Sequence, residues 1–274
     1  MTLKELCIGI GMPEEVTENV LRIYKEQDYS ALKAVTDKLY NRRDWETALE
    51  EVKKALGKDD KGLKMLTLQL VTGLNTYRLY EEKGISQKIF FDTFQCFSRF
   101  VGELMVSYHT YGFDREWSTP RQISMEEFRL GELEFEMENW KGERVISVHI
   151  PSDARITRDN CLNSYEQAQE FFAKYYPEMK YRYFICDSWM LSPGLKEVLP
   201  PDSRILQFQA DYTIEEWNKE DTSYMEWVFK NLDLPFDELP EETSLQRNIK
   251  RFIKEGGFLG SAFGYMEKPV FCRV

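Results

Sequence analysis

The sequence predicts a two-domain α+β protein: an all-α part over residues 1–115, then a mixed α/β part over residues 116–274 with a partly parallel central sheet. Three observations predict it. Before residue 115, apolar residues recur at the three-and-four spacing of helices, with short connections between the runs. The stretch "YGFDREWSTPRQIS" then breaks that rhythm with Gly112, Thr119 and Pro120. Beyond it, two strand-like runs at 145–150 and 181–188 are joined by a crossover of helical length, which calls for parallel neighbours with a right-handed connection.

The helical part is read in order. Pro13, Glu14 and Glu15 form a helix start, with acids at the positive end of the dipole, and Val16, Val20 and Ile23 follow on one face. Leu32, Val35 and Leu39 repeat the spacing. Trp45, Leu49, Val52 and Leu56 do so again, and Gly57 is placed to stop that helix. Leu63, Leu66, Leu70, Leu74 and Tyr77 make a longer stripe ended by Gly84. Ser86 opens a helix whose Phe90, Phe94, Phe97, Val101 and Leu104 form an aromatic-rich stripe, a core face before it is a ligand box. His109, near that helix's end, reads as a cap or surface residue. Short connections suggest antiparallel packing of neighbours.

In the second part, "GELEFEM" alternates, with Leu133, Phe135 and Met137 on one face and Glu132, Glu134 and Glu136 on the other. The acidic face reads as solvated; bordering a cleft, it would attract a cationic amine. Asn139–Gly142 can form a hairpin turn. "RVISVHIP" follows as a strand with Val145, Ser147 and His149 on one face, stopped by Pro151. Ser164 is expected to open a helix carrying Ala168, Phe171, Phe172 and Tyr175. "YRYFICDSW" reads as a strand, "SPGLKEVL" as a short helix, and "SRILQFQADY" as another strand with Gln207, Gln209 and Asp211 on a polar face. Helices are expected around 223–231 and 243–255, with a closing strand in "GGFLGSAFGYME". In such sheets ligands gather at the carboxyl ends of the strands, where His149, Cys186 and Ser188 fall.

Composition limits the function. The net charge of −11 disfavours broad nucleic-acid binding, although a local basic groove could still hold an anionic ligand. Five cysteines, none in a C-x-x-C pair, argue against a disulfide framework or a zinc knuckle, so no metal is expected and a reducing cytoplasm fits. The first residues turn acidic too soon for a signal peptide. No apolar run approaches the roughly 18 residues that cross a bilayer. The oligomeric state is left open, a homo-oligomer included.

"EWSTPRQIS", "FRLGELEFEM", "VHIP", "ICDSWMLSPGLKEVLP" and "ETSLQRNIKRFIKEGG" occur in this order. Together, from Trp117 to Gly257, they resemble a bacterial acyltransferase family in which an α-helical N-terminal domain precedes a GNAT-like C-terminal domain. The resemblance implies a GNAT-like fold and acyl transfer, with acetyl-CoA or another acyl-CoA as donor. It supplies no acceptor and no catalytic residue. Ordinary GNAT enzymes hold the CoA pyrophosphate with a glycine-containing loop leading into a helix, where backbone N–H groups approach phosphate closely. Here the corresponding "PSDARITRDNCLNSYEQA" has Arg155 and Arg158 but no glycine. Arginine contacts phosphate through charge without making a backbone cradle.

Transfer from a thioester to an amine needs a base, N–H donors for the oxyanion, and a proton for the leaving thiolate. His149 suits the base, with a polar strand-end residue as the plain alternative. Cys186 beside His149 would be a nucleophile for a ping-pong route, against a small buried hydrophobe. Ser188 would be the thiolate's partner. Trp189 would line a pocket wall or the core, and Glu134 and Gln207 would face the acceptor. In "TSLQR", Thr243 and Gln246 form a capping box, which leaves Arg247 to approach the donor phosphates. The sequence thus supports an N-acyltransferase acting on a small amine. The alternative is a GNAT-shaped protein that has lost CoA binding and serves as a ligand- or partner-binding module.

Overall fold

The structure, a computed structural model, describes residues 1–230 and 233–270. Cys272, and Asn231 at the end of the helix expected over 223–231, lie outside the described residues. By packing, the chain divides into Met1–Arg129 and Leu130–Val274, so residues 116–129 go with the helical unit.

The first unit holds α1 (Leu3–Gly9), α2 (Glu14–Glu26), α3 (Lys33–Thr36), α4 (Trp45–Leu56), α5 (Leu63–Lys83), α6 (Gln87–Tyr108) and α7 (Pro120–Ile123). α5 is the hub, packed by α1, α2, α4 and α6. The caps follow the residue types. The Ser86 side chain accepts from Ile89 N–H at the start of α6. Gly84 ends α5 in the left-handed region, φ 73°. His109 caps α6 at φ 55° and is exposed. The α6 stripe is core: Phe90, Phe94, Phe97 and Val101 are fully buried, with Phe90 and Phe94 rings stacked at 4.3 Å.

Two local features differ from the sequence reading, one of them an element it did not include. α1 went unread, although Thr2 and Glu5 close a capping box on it. The Leu32–Val35–Leu39 run is not one helix but α3 between 3₁₀ turns, and its buried positions are Tyr29, Thr36 and Leu39.

The strands form one six-stranded sheet in the order β1-β2-β3-β4-β6-β5, of which β2 to β6 belong to the second unit and β1 falls at the boundary. The strands are β1 (Glu127–Leu130), β2 (Leu133–Trp140), β3 (Glu143–His149), β4 (Tyr183–Ser188), β5 (Thr213–Asn218) and β6 (Ser261–Glu267). The helices are α8 (Arg158–Tyr175), α9 (Arg204–Gln209), α10 (Tyr224–Phe229) and α11 (Ser244–Lys254). β2 and β3 form a hairpin closed by Lys141 (φ 51°) and Gly142 (φ 80°), the two positive-φ positions such a tight turn demands. α8 is the crossover that makes β3 and β4 parallel neighbours. Its Tyr165 ring lies against Phe135 at 6.1 Å and Phe184 at 5.2 Å, which seals one face of the sheet.

Three boundaries differ from the sequence reading. α8 starts at Arg158, capped by Thr157, while Ser164 sits inside it, fully buried, donating to Asn160 O and accepting from Glu132 N–H. "RILQFQ" is α9 rather than a strand: Ser203 accepts from Ile205 N–H, and the apolar run is too short for periodicity to decide. The strand is the next segment, β5, an edge strand whose exposed Glu215, Glu216 and Asn218 mask its pattern. "PGLKE" is a 3₁₀ turn.

Candidate active site

Register decides which side chains meet. The two-residue turn makes Trp140 oppose Glu143, and six steps outward Glu134 opposes His149. Glu136, one diagonal away, reaches the imidazole: His149 Nε2 lies 2.9 Å from Glu136 Oε2. The side chain of Glu136 is 2% exposed and that of His149 39% exposed, so a buried carboxylate holds a ring that solvent can touch. A carboxylate in that position needs such a partner, and in return it fixes the ring's orientation and tautomer. The solvated reading of this acidic face is therefore overturned: Glu134 and Glu136 are buried.

The parallel register, Ile146↔Phe184 and Ser147↔Ile185, sets the faces of β4. Alternation then puts His149 on the side of Ile185 and Asp187, and puts Cys186 and Ser188 on the other side with Val148 and Phe184. The shared opening expected for His149, Cys186 and Ser188 is not formed. Cys186 is fully buried, and burial pushes its thiol well above the usual range. A thiolate nucleophile at this position gives way to a packed hydrophobe. Ser188 accepts from Met190 N–H at 3.1 Å and starts a 3₁₀ turn.

Asp187, which sequence reading passed over, shares the His149 face. Although Asp187 is exposed as a residue, partial desolvation of its carboxyl, then the charges of Asp221 and Glu216, hold it above the ordinary carboxylate range. Beyond Ser147↔Ile185 both strands run on, β3 to His149 and β4 to Ser188.

The remaining expected site residues separate. Arg155 binds Glu132 through Nη2 at 3.0 Å and its own N–H at 2.9 Å. Arg158, the first residue of α8, pairs with Asp211. Both stand at the N-terminal end of α8, whose first-turn N–H groups point outward. Arg247 donates to the carbonyls of Glu241 and Glu242 at 2.7 and 2.8 Å, tying down the segment before its own helix. The Thr243–Gln246 capping box is present. Trp189 belongs to an apolar cluster with Leu195, Tyr224, Phe229 and Ile249, so it is core rather than pocket wall. Gln207, on α9 instead of a strand, donates to Asp202 O at 3.1 Å.

The sheet is also rolled. β2 and β6 are three strand intervals apart, about 14 Å if flat, yet the Trp140 ring lies 5.3 Å from that of Tyr265 and 6.0 Å from that of Tyr183. All three rings are on the His149 face, so that face is the concave one. The signal for the carboxylate partner lay in the sequence, since counting out from Lys141–Gly142 sets Glu134 opposite His149 and leaves Glu136 on the same face one diagonal away. The roll had no such signal.

A helical unit followed by a β-α-β crossover in a sheet of order β1-β2-β3-β4-β6-β5 defines a two-domain protein of GNAT-like architecture. Residues 1–125 match the N-acyltransferase N-terminal domain and residues 127–266 the GNAT-like C-terminal domain, and the chain belongs to this family. Its fold is similar to that of a solved acyltransferase in complex with decanoyl-CoA and teicoplanin, 22% identical over 97% of this chain and 87% of that one, with TM-score 0.81. An acyltransferase mutant in complex with octanoyl-CoA is 22% identical over the same shares, with TM-score 0.83. Among curated proteins, none matches the chain.

Proposed function

We propose that the protein is an N-acyltransferase that moves an acyl group from acyl-CoA to an amine, with His149 as the base and Glu136 as its positioning partner. The observation that carries this reading is the contact of His149, at the carboxyl end of β3 in the parallel pair, with Glu136 of the neighbouring β2. Solved structures of the same fold that are complexed with decanoyl-CoA, octanoyl-CoA and CoA support the donor.

Acyl-CoA supplies the acyl group as a thioester. The donor's arm would enter between β3 and β4 beyond Ser147↔Ile185, where GNAT enzymes seat it, and its phosphates would meet the first turn of α8. The first turn of α8 fits in helix polarity, with Thr157 as its cap, and Arg155 and Arg158 flank it, so a phosphate there would exchange for their Glu132 and Asp211 partners. These residues do not make a glycine cradle.

The ring nitrogen that does not donate to Glu136 takes the proton from the attacking amine. A C–N bond forms, the C–S bond breaks, and the proton taken by the imidazole passes to the leaving thiolate, which restores the neutral ring. Buried Glu136 stabilises the imidazolium while that proton is held. The concave, acidic face, with Glu134, Glu136 and Asp187, favours an acceptor that arrives as a cation.

The test is release of free thiol from acetyl-, octanoyl- and decanoyl-CoA with a panel of amines, alongside thermal melts. A donor at about 100 times its dissociation constant should stabilise by about 2.7 kcal/mol. Neither a melting shift nor thiol release with any donor would leave the non-catalytic binding module as the reading.

A further inference from the structure

A second site lies at the opposite end of the concave face. β3 runs from Glu143 to His149, about 20 Å of strand, and where His149 marks one end, a cavity of about 620 Å³ occupies the other. Its walls are the rings of Trp140, Tyr183 and Tyr265, and its rim carries Lys141, Glu143 and Glu215. The Tyr183 and Tyr265 rings meet edge to face at 5.4 Å, so Trp140 closes over an aromatic corner instead of a flat surface.

The cavity already holds a cation of its own. The Lys141 ammonium lies 4.5 Å from the centre of the Trp140 ring and pairs with Glu215 across the rolled sheet. Lys141 sits at the hairpin turn, its side chain 62% exposed, so it is a removable occupant and not part of the wall. Aromatic faces with carboxylates at the rim are what an ammonium group recognises, because the ring quadrupole and the carboxylate charge act in the same direction.

We infer that the cavity walled by Trp140, Tyr183 and Tyr265 is a binding site for an organic ammonium group, which displaces the Lys141 side chain. The inference rests on the cavity alone and holds whether or not His149 performs transfer. In an acyl acceptor, the site would hold a cationic part remote from the reacting amine.

The test uses the full-length protein without acyl-CoA. Calorimetric titration with choline is compared with 3,3-dimethylbutan-1-ol, its uncharged counterpart of the same shape. Choline is expected to bind and the alcohol to bind about tenfold more weakly or not at all. Lys141→Asn, which keeps a residue tolerant of positive φ at the turn, should tighten choline binding several-fold by removing the internal competitor. Trp140→Leu should abolish it. Because Lys141 is exposed, that variant gives a reading even where Trp140→Leu fails to fold. Equal binding of choline and the alcohol would overturn the inference in favour of an apolar-tail pocket. So would no choline binding by either wild type or Lys141→Asn. Loss of thiol release with choline binding intact would sink only the transfer reading.

Discussion

His149 Nε2 and Glu136 Oε2 lie 2.9 Å apart across the β2–β3 ladder, the imidazole half-buried and the carboxylate almost wholly buried. The geometry is fixed by a two-residue turn, and a one-residue slip in register would turn every side chain of the strand to the opposite face. The pair is therefore as rigid as the hairpin that carries it.

His149→Ala should lower kcat for acyl transfer by about 10²–10⁴-fold, the range of a lost general base, with KM for acyl-CoA little changed. Glu136→Gln should lower kcat less than His149→Ala while leaving the same KM. A rise in donor KM alone would mean the pair positions substrate and takes no proton. Steady-state thiol release resolves the two.

Cys186→Ala should leave kcat unchanged, because the side chain packs on the α8 side of the sheet, away from His149. An alkylating agent should label Cys186 only after unfolding, since burial holds the thiol protonated. Labelling of the native protein at Cys186, read by peptide mass, would reinstate the nucleophile.

Trp189→Ala should cost about 3–5 kcal/mol of stability, the usual loss for a large aromatic removed from a core. Conditions that keep this variant folded should show an unaltered KM for the acceptor. Denaturant melts and kinetics together separate a core residue from a pocket wall.

Arg247→Ala should leave the affinity for acyl-CoA unchanged, because that guanidinium is spent on the carbonyls of Glu241 and Glu242. Arg158→Ala, at the first turn of α8, should weaken the donor about tenfold. Thermal shift with decanoyl-CoA measures both.

Asp187 gives a pH dependence. Its folded pKa is raised, so the folded state binds that proton more tightly than the unfolded chain does, and ionising it is unfavourable to the fold. The penalty is absent below the ordinary aspartate range, where both states are protonated, and is complete above the raised value. Asp187→Asn should therefore raise Tm at neutral pH, and the gain should vanish as pH falls through the carboxylate range.

Much of the fold was legible because short-range chemistry sets it. Ser86 and Gly84 mark helix ends through caps, and the α6 phenylalanines mark a core stripe by spacing. "RILQFQ" reads as a strand yet is a helix, and "TIEEWN" gives no strand signal yet is one, for the converse reason. A short apolar run carries no usable period, and an edge strand hides its pattern under charge.

The sequence by itself determined the helical first part, the β2–β3 hairpin, the crossover that makes β3 and β4 parallel, and His149 at a strand end. All of these follow from residue spacing, turn chemistry and chain length. Only the tertiary structure decided that Cys186 faces away from His149, that Glu136 is buried beneath the imidazole, and that Trp140 reaches Tyr265. Those facts depend on inter-strand register and on the roll of the sheet, which come from packing between segments far apart in the chain and leave no local pattern to read.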